Sequence, residues 1–274
     1  MSVLYNGRTL RIADAHTHIY PDKIALKATA AVGAFYDIPM SRVGMVESLL
    51  KSGSAIGVEK YLVCSVATKP EQVASINTYI AGECAQHPEF IGLAALHHEL
   101  EDPIAAVEHA VVLGLKGIKM HPDFQKFNID DPIMLPVYRR LAEWKLPILF
   151  HMGDDRYDYS APARLANVLD RVPDLRCIGA HFGGYRRWQD AERILKGANL
   201  YFDTSSSLSF LEPQEAVEMI GHYGADRMFF GTDFPMWDHR EELDRFLALG
   251  LSDELNDRIL YGNFADFFGL SDEV

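Results

Sequence analysis

Cysteine is scarce in this 274-residue sequence. Its three cysteines, Cys64, Cys84 and Cys177, are odd in number, and no two of them form a CxxC pair. Cys64 and Cys177 lie inside apolar runs, where a thiol packs as a small core residue. The cysteines therefore indicate core packing in a reducing compartment, and we expect a cytoplasmic protein.

Basic clusters and long apolar segments are also missing. The formal net charge is −13, and no run is rich in lysine or arginine. Because basic patches supply most of the affinity for nucleic acid and for anionic membranes, we expect neither as a partner. No apolar run approaches the roughly 18 residues that span a bilayer, and the first residues do not resemble a secretion signal. A small-molecule substrate is the expected partner.

What the sequence does contain is a series of eight short apolar runs, each followed by a polar or glycine-containing cluster and then by a helix-like segment. The runs are apolar throughout rather than at alternate positions, which is typical of strands buried on both faces of a parallel sheet. They cover residues 10–15, 60–67, 90–96, 116–120, 147–151, 175–181, 199–204 and 228–233.

Helix signals separate these runs. Asp102-Pro103 and Asp131-Pro132 place a proline in a first helical turn, where its missing N–H is not needed. Most of the runs end about 30 residues apart, as in βαβ units. Eight such units predict an α/β fold, a (β/α)8 TIM barrel, in a single domain of residues 1–274, with an open doubly wound sheet as the alternative. The longer first interval predicts a loop-rich insertion after strand 1, at residues 19–42.

Polar side chains collect at the carboxyl ends of the runs, which is the face of a barrel where catalytic groups lie. The first run ends in Asp14, His16 and His18, and alternate residues of an extended strand point to the same side. Five later runs also end in titratable groups. These groups are Lys119 with His121, then His151, His181, Asp203 and Asp233.

Three imidazoles and one carboxylate of this set form a nitrogen and oxygen donor group suited to Zn²⁺, Mn²⁺ or Fe²⁺. They are His16, His18, His151 and Asp233. Such an ion would lower the pKa of a bound water to about 7 and make hydroxide available at neutral pH. The strand ends therefore predict a metal-dependent active site.

Six motifs carry a resemblance to a known family: DAHTH at 14–18, GIKMHP at 117–122, FHMGD at 150–154, GAHFGG at 179–184, GTDFP at 231–235 and LYGNFADFFGL at 260–270. They cover nearly the whole chain in the family's order. In these motifs the sequence resembles the amidohydrolase superfamily. The branch it resembles is the amidohydrolase-related one, which includes aminocarboxymuconate-semialdehyde and γ-resorcylate decarboxylases as well as hydrolases.

The resemblance implies one divalent metal ion, with Zn²⁺ favoured and Mn²⁺ or Fe²⁺ as alternatives, and a homodimer as the assembly. The implied ligands are His16, His18, His151 and Asp233. His181 beside the ion would act as a general acid or base, and Asp233 would also accept a proton. Other branches hold a second ion through a carboxylated lysine at the end of strand four. Lys119 stands near that position, but we favour it as the cation for a substrate carboxylate.

Further residues are predicted around this centre. Asp14 is the deepest of the first triplet, and we expect it to support an imidazole or nearby backbone by hydrogen bonds rather than bind the ion. The predicted substrate contacts are Lys119, His121, Tyr20 and Asp154. For His121 a structural hydrogen-bonding role is the alternative. His239 lies at no strand end, and we expect it to take no part in the site.

Two reactions use these residues equally well. In a hydrolase, metal-activated water attacks the carbonyl of an amide, lactone or ester. In a carboxy-lyase, the substrate chelates the metal, and His181 or Asp233 protonates the carbon that loses CO₂. Because the chain is compact, whereas decarboxylases of the branch tend to be longer, we predict a hydrolase, with a decarboxylase as the alternative. A non-catalytic barrel would show gaps in the ligand set, and the sequence shows none.

Overall fold

The computed structural model describes residues 3–270 and contains two compact units, one formed by residues up to 62 together with those from 204 onward, the other by residues 63–203. The strands are β1 (Leu4–Tyr5), β2 (Arg8–Thr9), β3 (Ile12–His18), β4 (Val58–Cys64), β5 (Phe90–Gly92), β6 (Ala94–Ala95), β7 (Ile118–Met120), β8 (Ile148–Phe150), β9 (Cys177–Gly179), β10 (Tyr201–Asp203) and β11 (Met228–Phe229). The α-helices are α1 (Asp22–Tyr36), α2 (Val46–Ser54), α3 (Val73–Gln86), α4 (Pro103–Val112), α5 (Pro122–Gln125), α6 (Leu135–Glu143), α7 (Pro162–Arg171), α8 (Trp188–Leu195), α9 (Pro213–Tyr223), α10 (His239–Leu247), α11 (Asp253–Asp257) and α12 (Asn263–Phe268). Each of the eight predicted runs contains at least one strand, and the single domain stays a prediction.

The unit of residues 63–203 is built on five parallel strands in the order β10-β9-β8-β7-β6. In sequence, α4 precedes β7, α6 precedes β8, α7 precedes β9 and α8 precedes β10. The strands are buried on both faces, with Ile118, Leu149 and Ile178 each at most 1% exposed, as their continuous apolar runs predict. The alternation of strand and helix confirms the predicted α/β class.

The predicted helix signals act at the starts of helices in this unit. Before α4, Oδ1 of Asp102 accepts the N–H of Ala105 at 2.9 Å. Before the short helical turn that leads into α6, Oδ1 of Asp131 accepts the N–H of Ile133 at 3.0 Å. Each cap satisfies a backbone donor that the first turn of a helix leaves without an intrahelical partner.

β6 is only two residues long, and a side chain of α3 completes its hydrogen bonding. The buried Asn77 accepts the N–H of Ala95 at 2.8 Å and donates from Nδ2 to the carbonyl of Ala95 at 3.1 Å. On its other side Ala95 is paired with Lys119 of β7. The side-chain amide of Asn77 therefore takes the place of a neighbouring strand.

In the other unit, β3 lies parallel to the segment 230–234. Ala15 donates its N–H to the carbonyl of Phe230 at 2.9 Å, and His18 donates its N–H to the carbonyl of Phe234 at 2.7 Å. Thr17 and Phe234 also form a parallel bridge. This pairing brings the end of β3 next to the residues of the GTDFP motif.

The last predicted run, 228–233, is a regular strand only at Met228–Phe229. Beyond that point, side chains accept the N–H groups of two consecutive residues, Gly231 and Thr232. Thr204 Oγ1 accepts the N–H of Gly231 at 3.2 Å, and Asp14 Oδ1 accepts the N–H of Thr232 at 3.0 Å. These two side-chain contacts interrupt the regular strand, and main-chain pairing with β3 continues at Asp233, whose N–H donates to the carbonyl of His16.

The segment after β3 is helical rather than loop-rich as predicted. α1 takes up 15 residues of it, from Asp22 to Tyr36, and ends at Asp37, which has a left-handed φ of 53°. Five of those 15 residues are alanine, the residue with the highest helix propensity. The helix propensity of its residues therefore explains why the insertion is helical.

Backbone hydrogen bonds then fix the end of this insertion to the GTDFP motif and the residue after it. The N–H of Ser41 donates to the carbonyl of Met236 at 3.2 Å, and the N–H of Arg42 donates to the carbonyl of Pro235 at 3.1 Å. Both acceptors lie within three residues of Asp233. The insertion is thus held directly against the chain that follows this aspartate.

A buried carboxylate stands in the first turns of α10. The side chain of Glu242 is 1% exposed; its Oε1 forms an ion pair with Arg245, and its Oε2 has no hydrogen-bond partner among residues 3–270. Burial raises the pKa of Glu242 to about 7, although the positive charge of Arg245 opposes the shift. Ionisation of Glu242 at neutral pH therefore lowers the stability of the folded protein.

We predict that replacing Asn77 will destabilise the fold strongly. Asn77→Ala leaves the N–H and the carbonyl of Ala95 without this buried partner, and each such unpaired group costs about 1–3 kcal/mol. The free energy of unfolding, measured by urea titration, should fall by about 2–4 kcal/mol. The matched control is Thr78→Ala on the same helix, whose exposed hydroxyl bonds only within the helix. Equal shifts for the two variants would contradict the assigned role of Asn77.

We also predict a pH-dependent effect of Glu242→Gln. The pKa of Glu242 is raised in the folded protein, to about 7 from 4.5. Between these values the folded chain holds a proton that the unfolded chain has released, so stability is lost as pH rises through this range. The glutamine does not titrate, so the unfolding free energy of the variant minus that of the wild type should rise from pH 4.5 to pH 7 by about 1–3 kcal/mol.

The control for this titration is Thr78→Ala, because it removes an exposed hydroxyl and no titratable group. Its difference from the wild type should stay constant with pH to within about 0.5 kcal/mol. Urea titrations of the metal-free proteins at pH 5, 6, 7 and 8 make the comparison. A flat difference for Glu242→Gln would show that Glu242 is ionised over the whole range.

Candidate metal centre

The first strand of the predicted barrel, β3, presents two imidazoles from alternate positions. The side chain of His16 is 1% exposed and that of His18 is 12% exposed. Their ring centroids lie 5.2 Å apart, with the ring planes inclined at 47°. Because lone pairs lie in the ring planes, inclined rings can aim their nitrogens at one point.

Asp233 brings a carboxylate to the same place. Its N–H donates to the carbonyl of His16 at 2.8 Å. Its Oδ1 lies 3.6 Å from Nε2 of His16 and 3.3 Å from Nε2 of His18. The backbone of Asp233 has a φ of 58°, the left-handed region that residues other than glycine occupy rarely. The fold therefore holds this carboxylate in place against a local backbone preference.

The three donor atoms have the spacing that a metal ion requires. Two ligands bound at about 2.1 Å in tetrahedral geometry lie about 3.4 Å apart. The two distances from Oδ1 of Asp233 lie close to this value, and all three atoms are within 4.8 Å of one another. Imidazole nitrogen and carboxylate oxygen also suit Zn²⁺ and Mn²⁺. His16, His18 and Asp233 thus fit a divalent metal ion.

Asp14 supports this group from inside the fold. Its Oδ1 accepts the N–H groups of His16 and Thr232, each at 3.0 Å, and its Oδ2 accepts the hydroxyl of Thr232. Nε2 of His239 lies 3.1 Å from Oδ2 of Asp14, and Nδ1 of His239 lies 2.8 Å from the hydroxyl of Ser52. Asp14 thus contacts the backbone of one predicted ligand and of the residue before another.

His239, Ser52 and Thr232 were not identified from the sequence. His239 is fully buried, although its position away from any strand end predicts no part in the site. It lies at the start of α10 and Ser52 lies in α2, so neither falls at a strand end. Thr232 lies inside the GTDFP motif, and that motif is the one signal that could have found it.

A second group of imidazoles lies in the unit of residues 63–203. Nε2 of His151 lies 3.0 Å from the carbonyl of Gly153, and Nδ1 of His151 lies 3.0 Å from Nε2 of His181. A carbonyl only accepts, so the hydrogen of neutral His151 lies on Nε2 and its Nδ1 accepts. The hydrogen of the second contact must then lie on Nε2 of His181. Nε2 of His181 is therefore the donor in this contact.

The fold holds His181 from its backbone. Its N–H donates to Oδ1 of Asp203 at 3.0 Å, and its carbonyl accepts the indole N–H of Trp188 at 3.1 Å. Like Asp233, His181 has a left-handed backbone, with a φ of 60°. Residues in such conformations persist only where the surrounding structure fixes them, and they cluster at functional sites.

His121 is packed between two rings. Its ring stacks on Phe124 and on His151, both with centroids at 3.8 Å, and Nδ1 accepts the N–H of Phe124 at 3.3 Å. His121, His151 and the neighbouring Asp123 also offer donor atoms within 4.8 Å of one another. The rings of His121 and His151 are nearly parallel, at 8°, so their lone pairs do not converge. We therefore assign no ion to this second group.

Asp123 is a further buried group that the sequence analysis passed over, although it lies in the HPD sequence directly after strand β7. Its Oδ2 accepts the hydroxyl of Ser160 at 2.5 Å and lies 3.7 Å from Nε2 of His151. Burial raises the pKa of Asp123 to about 7, and the hydrogen bond from Ser160 opposes that shift.

The remaining predicted substrate residues lie in three different settings. Lys119 is 1% exposed within β7. Both carboxylate oxygens of Asp154 are engaged by the guanidinium of Arg156, at 2.9 and 2.7 Å. The N–H of Tyr20 donates to the carbonyl of Gly44 at 2.7 Å, and a Cβ on Gly44 would lie 2.6 Å from the ring of Tyr20. Asp154 thus orders its own loop, and Tyr20 packs against the end of the insertion.

Within residues 3–270, no helix combines the length and the apolar character needed to cross a lipid bilayer.

A curated relative matches part of the chain. The 2-amino-3-carboxymuconate-6-semialdehyde decarboxylase of Dictyostelium discoideum is 23% identical in an alignment 241 residues long, which covers 71% of this chain and 66% of the relative. The chain thus spans just under two thirds of the length of this relative.

Solved structures show the fold. An uncharacterised TIM-barrel protein from Bordetella bronchiseptica superposes with a TM-score of 0.80 and 18% identity, over 95% of this chain and 99% of the other. The dihydroxybenzoic acid decarboxylase of Polaromonas, solved with bound manganese and the inhibitor 2-nitroresorcinol, superposes with a TM-score of 0.75 and 17% identity, over 95% of this chain and 97% of that one. These likenesses confirm the predicted TIM-barrel fold.

The family is shown by the sequence itself. A family model described as Amidohydrolase matches residues 13–270, which is nearly the whole chain. The match includes all six motifs on which the resemblance rests. The chain belongs to the amidohydrolase family of enzymes.

Proposed function

We propose that this protein is a metal-dependent decarboxylase of a small aromatic or unsaturated carboxylic acid. The observation that carries the proposal is the convergence of Nε2 of His16, Nε2 of His18 and Oδ1 of Asp233 on one point, in a chain of the amidohydrolase family. The names of two similar proteins, both decarboxylases and one of them solved with manganese, support this reaction class.

This proposal reverses the order of the two reactions in the sequence analysis. The prediction of a hydrolase rests on the greater length that decarboxylases of the branch tend to have. The chain nevertheless aligns with 97% of the Polaromonas decarboxylase. Compactness therefore does not argue against decarboxylation, and hydrolysis of an amide, lactone or ester becomes the second candidate.

The ion is held, in this proposal, by His16, His18 and Asp233, and the family resemblance adds His151. The lone pair of His151 lies on Nδ1, where it accepts the hydrogen of His181. Binding of the ion by His151 would therefore break this hydrogen bond and free Nε2 of His181 to face the substrate. When bound, a divalent ion supplies a Lewis acid that polarises the oxygens of the substrate. Manganese in a structure of similar fold supports Mn²⁺ beside the Zn²⁺ that the sequence favours.

The protein's own part in the reaction is to place a proton. Decarboxylation breaks the bond between the carboxylate and its carbon, and that carbon keeps the electron pair and must take up a proton as CO₂ leaves. In its protonated form His181 can give this proton from Nε2, the donor atom of its contact with His151, and it becomes neutral imidazole as it does so. We therefore propose His181 as the general acid, with Asp233 as the alternative. Lys119 is the proposed cation for the substrate carboxylate, and His121 and Tyr20 stay predicted substrate contacts.

The reaction class is tested with a panel of acids and neutral substrates. The metal-loaded protein is incubated with dihydroxybenzoic and unsaturated dicarboxylic acids, and separately with amides, lactones and esters. We expect CO₂ release equal to substrate loss for at least one acid, loss of activity with a chelator and recovery with Mn²⁺ or Zn²⁺. A hydrolysis product without CO₂ would reject the decarboxylase in favour of the second candidate.

Three variants distinguish the proposed metal ligands from the proposed proton donor. His18→Ala and Asp233→Asn should lower the bound metal, measured by elemental analysis, from one ion per chain towards none. His181→Gln should keep the ion and lower kcat by about 10²–10⁴-fold, since it removes only the proton donor. The control, His222→Gln, replaces an exposed histidine and should leave both readouts unchanged. Full metal content in Asp233→Asn would remove Asp233 from the ligand set.

A further inference from the structure

We propose that Ser206 is a positioning residue for Asp233 and that Trp237 orients the Ser206 hydroxyl. In this proposal Ser206 holds Oδ2 of the carboxylate, so that Oδ1 is the oxygen directed at the metal ion. The inference rests on the proposed function, because it concerns how a metal ligand of that function is held. Neither residue belongs to the predicted site.

The contacts form a short chain of hydrogen bonds. The hydroxyl of Ser206 donates to Oδ2 of Asp233 at 2.6 Å, and the indole N–H of Trp237 donates to Oγ of Ser206 at 2.9 Å. Sδ of Met236 also lies within reach of the hydroxyl, at 3.4 Å. Ser206 is buried, at 2% exposure.

The chemistry of the groups fixes the direction of this chain. An indole N–H can only donate and an ionised carboxylate can only accept, so Oγ of Ser206 accepts from Trp237 and gives its one hydrogen to Asp233. The competing acceptor, Sδ of Met236, is a weak one. A hydroxyl-to-carboxylate bond of this length is a charge-assisted hydrogen bond, which is stronger than one between neutral groups. The hydroxyl is therefore committed to Oδ2.

Because Oδ2 of Asp233 accepts the hydrogen bond from Ser206, Oδ1 is the oxygen that faces the two histidines. Oδ1 is the oxygen at 3.6 and 3.3 Å from the Nε2 atoms of His16 and His18. A carboxylate without such a restraint rotates about its Cβ–Cγ bond and exchanges its two oxygens. Restraint of a ligating group by an outer hydrogen bond typically changes metal affinity 10–100-fold.

The backbone at both ends of the hydrogen bond supports a functional origin. Ser206 has a φ of 49° and Asp233 a φ of 58°; the left-handed backbone is unfavourable for serine and is tolerated somewhat better by aspartate. Such conformations cluster at sites where function requires them. Here a 2.6 Å hydrogen bond joins two residues with left-handed backbones. This indicates that the local structure keeps the Asp233 carboxylate in place.

His16 is restrained in a parallel way by the preceding residue. Oγ of Ser205 lies 3.0 Å from Nδ1 of His16. A histidine that binds a metal through Nε2 carries its hydrogen on Nδ1, and the hydroxyl oxygen accepts that hydrogen. Consecutive serines thus contact the outer atoms of two ligands, which is the arrangement that positioning residues require.

The test measures metal affinity in a double-mutant cycle. Metal-free wild type, Ser206→Ala, Trp237→Phe and the double variant are titrated with Mn²⁺, and free Mn²⁺ is followed by electron paramagnetic resonance. Ser206→Ala should raise the Kd by about 10–100-fold, and Trp237→Phe should raise it less. Because Trp237 acts through Ser206, adding Trp237→Phe to Ser206→Ala should change the Kd no further.

The matched control is Ser209→Ala, which removes a hydroxyl of the same turn that has no hydrogen-bond partner within residues 3–270. It should bind Mn²⁺ like the wild type. The Tm of each metal-free variant is measured in parallel. An unchanged Tm with a raised Kd is the expected signature of positioning, and a Kd that rises only in proportion to a loss of Tm would assign Ser206 a merely structural role. If Ser206→Ala does not fold, Ser206→Gly and Trp237→Phe carry the same comparison.

The outcomes separate this inference from the proposed function. If the wild type binds no ion, both are overturned. If the wild type binds Mn²⁺ and Ser206→Ala binds it equally well, the positioning role is wrong and the proposed function stands. If the two single substitutions are additive, Ser206 keeps its role and Trp237 does not act through it.

Discussion

The buried carboxylate of Asp14 is the group on which the rest of the metal centre depends. A charge taken out of water is unfavourable unless hydrogen bonds and ion pairs surround it. Asp14 meets this requirement through the N–H groups of His16 and Thr232 and the hydroxyl of Thr232, with the ring of His239 3.1 Å away. The backbone donors belong to a proposed ligand and to the neighbour of another. The hydrogen bonds that stabilise the Asp14 carboxylate therefore also align β3 with the segment 230–234. This alignment depends on polar contacts rather than on hydrophobic packing.

Three residues with proposed roles have left-handed backbone conformations. Left-handed φ values occur at His181, Ser206 and Asp233, where a glycine would fit with less strain but could supply no side chain. In each case hydrogen bonds from neighbouring residues stabilise the conformation, such as those made by Asp203 and Trp188 at His181. The stability of the surrounding barrel thus maintains a local geometry that the isolated loop would not adopt.

Sequence patterns predicted the features that depend on periodicity. They did not reveal contacts between segments that are distant in the sequence. Alternation identified His16 and His18, and the spacing of apolar runs predicted the barrel. His239 and Ser206 could not be found in this way, because they lie in a helix and a turn and reach Asp14 and Asp233 only in the folded chain. The helical insertion was missed although its alanine content favours a helix. The choice between hydrolysis and decarboxylation was beyond the sequence because both reactions need the same electrophile and proton donor.

The hydrogen bonds that join the insertion to the chain after Asp233 have a mechanical consequence. Ser41 and Arg42 donate to the carbonyls of Met236 and Pro235, and Met236 also contacts the hydroxyl that holds Asp233. A displacement of residues 41–42 is therefore transmitted along the peptide backbone to the carboxylate, with no side chain as intermediary. Residues 41–42 and the carboxylate of Asp233 are thus attached to the same short stretch of backbone, so the position of one constrains the position of the other.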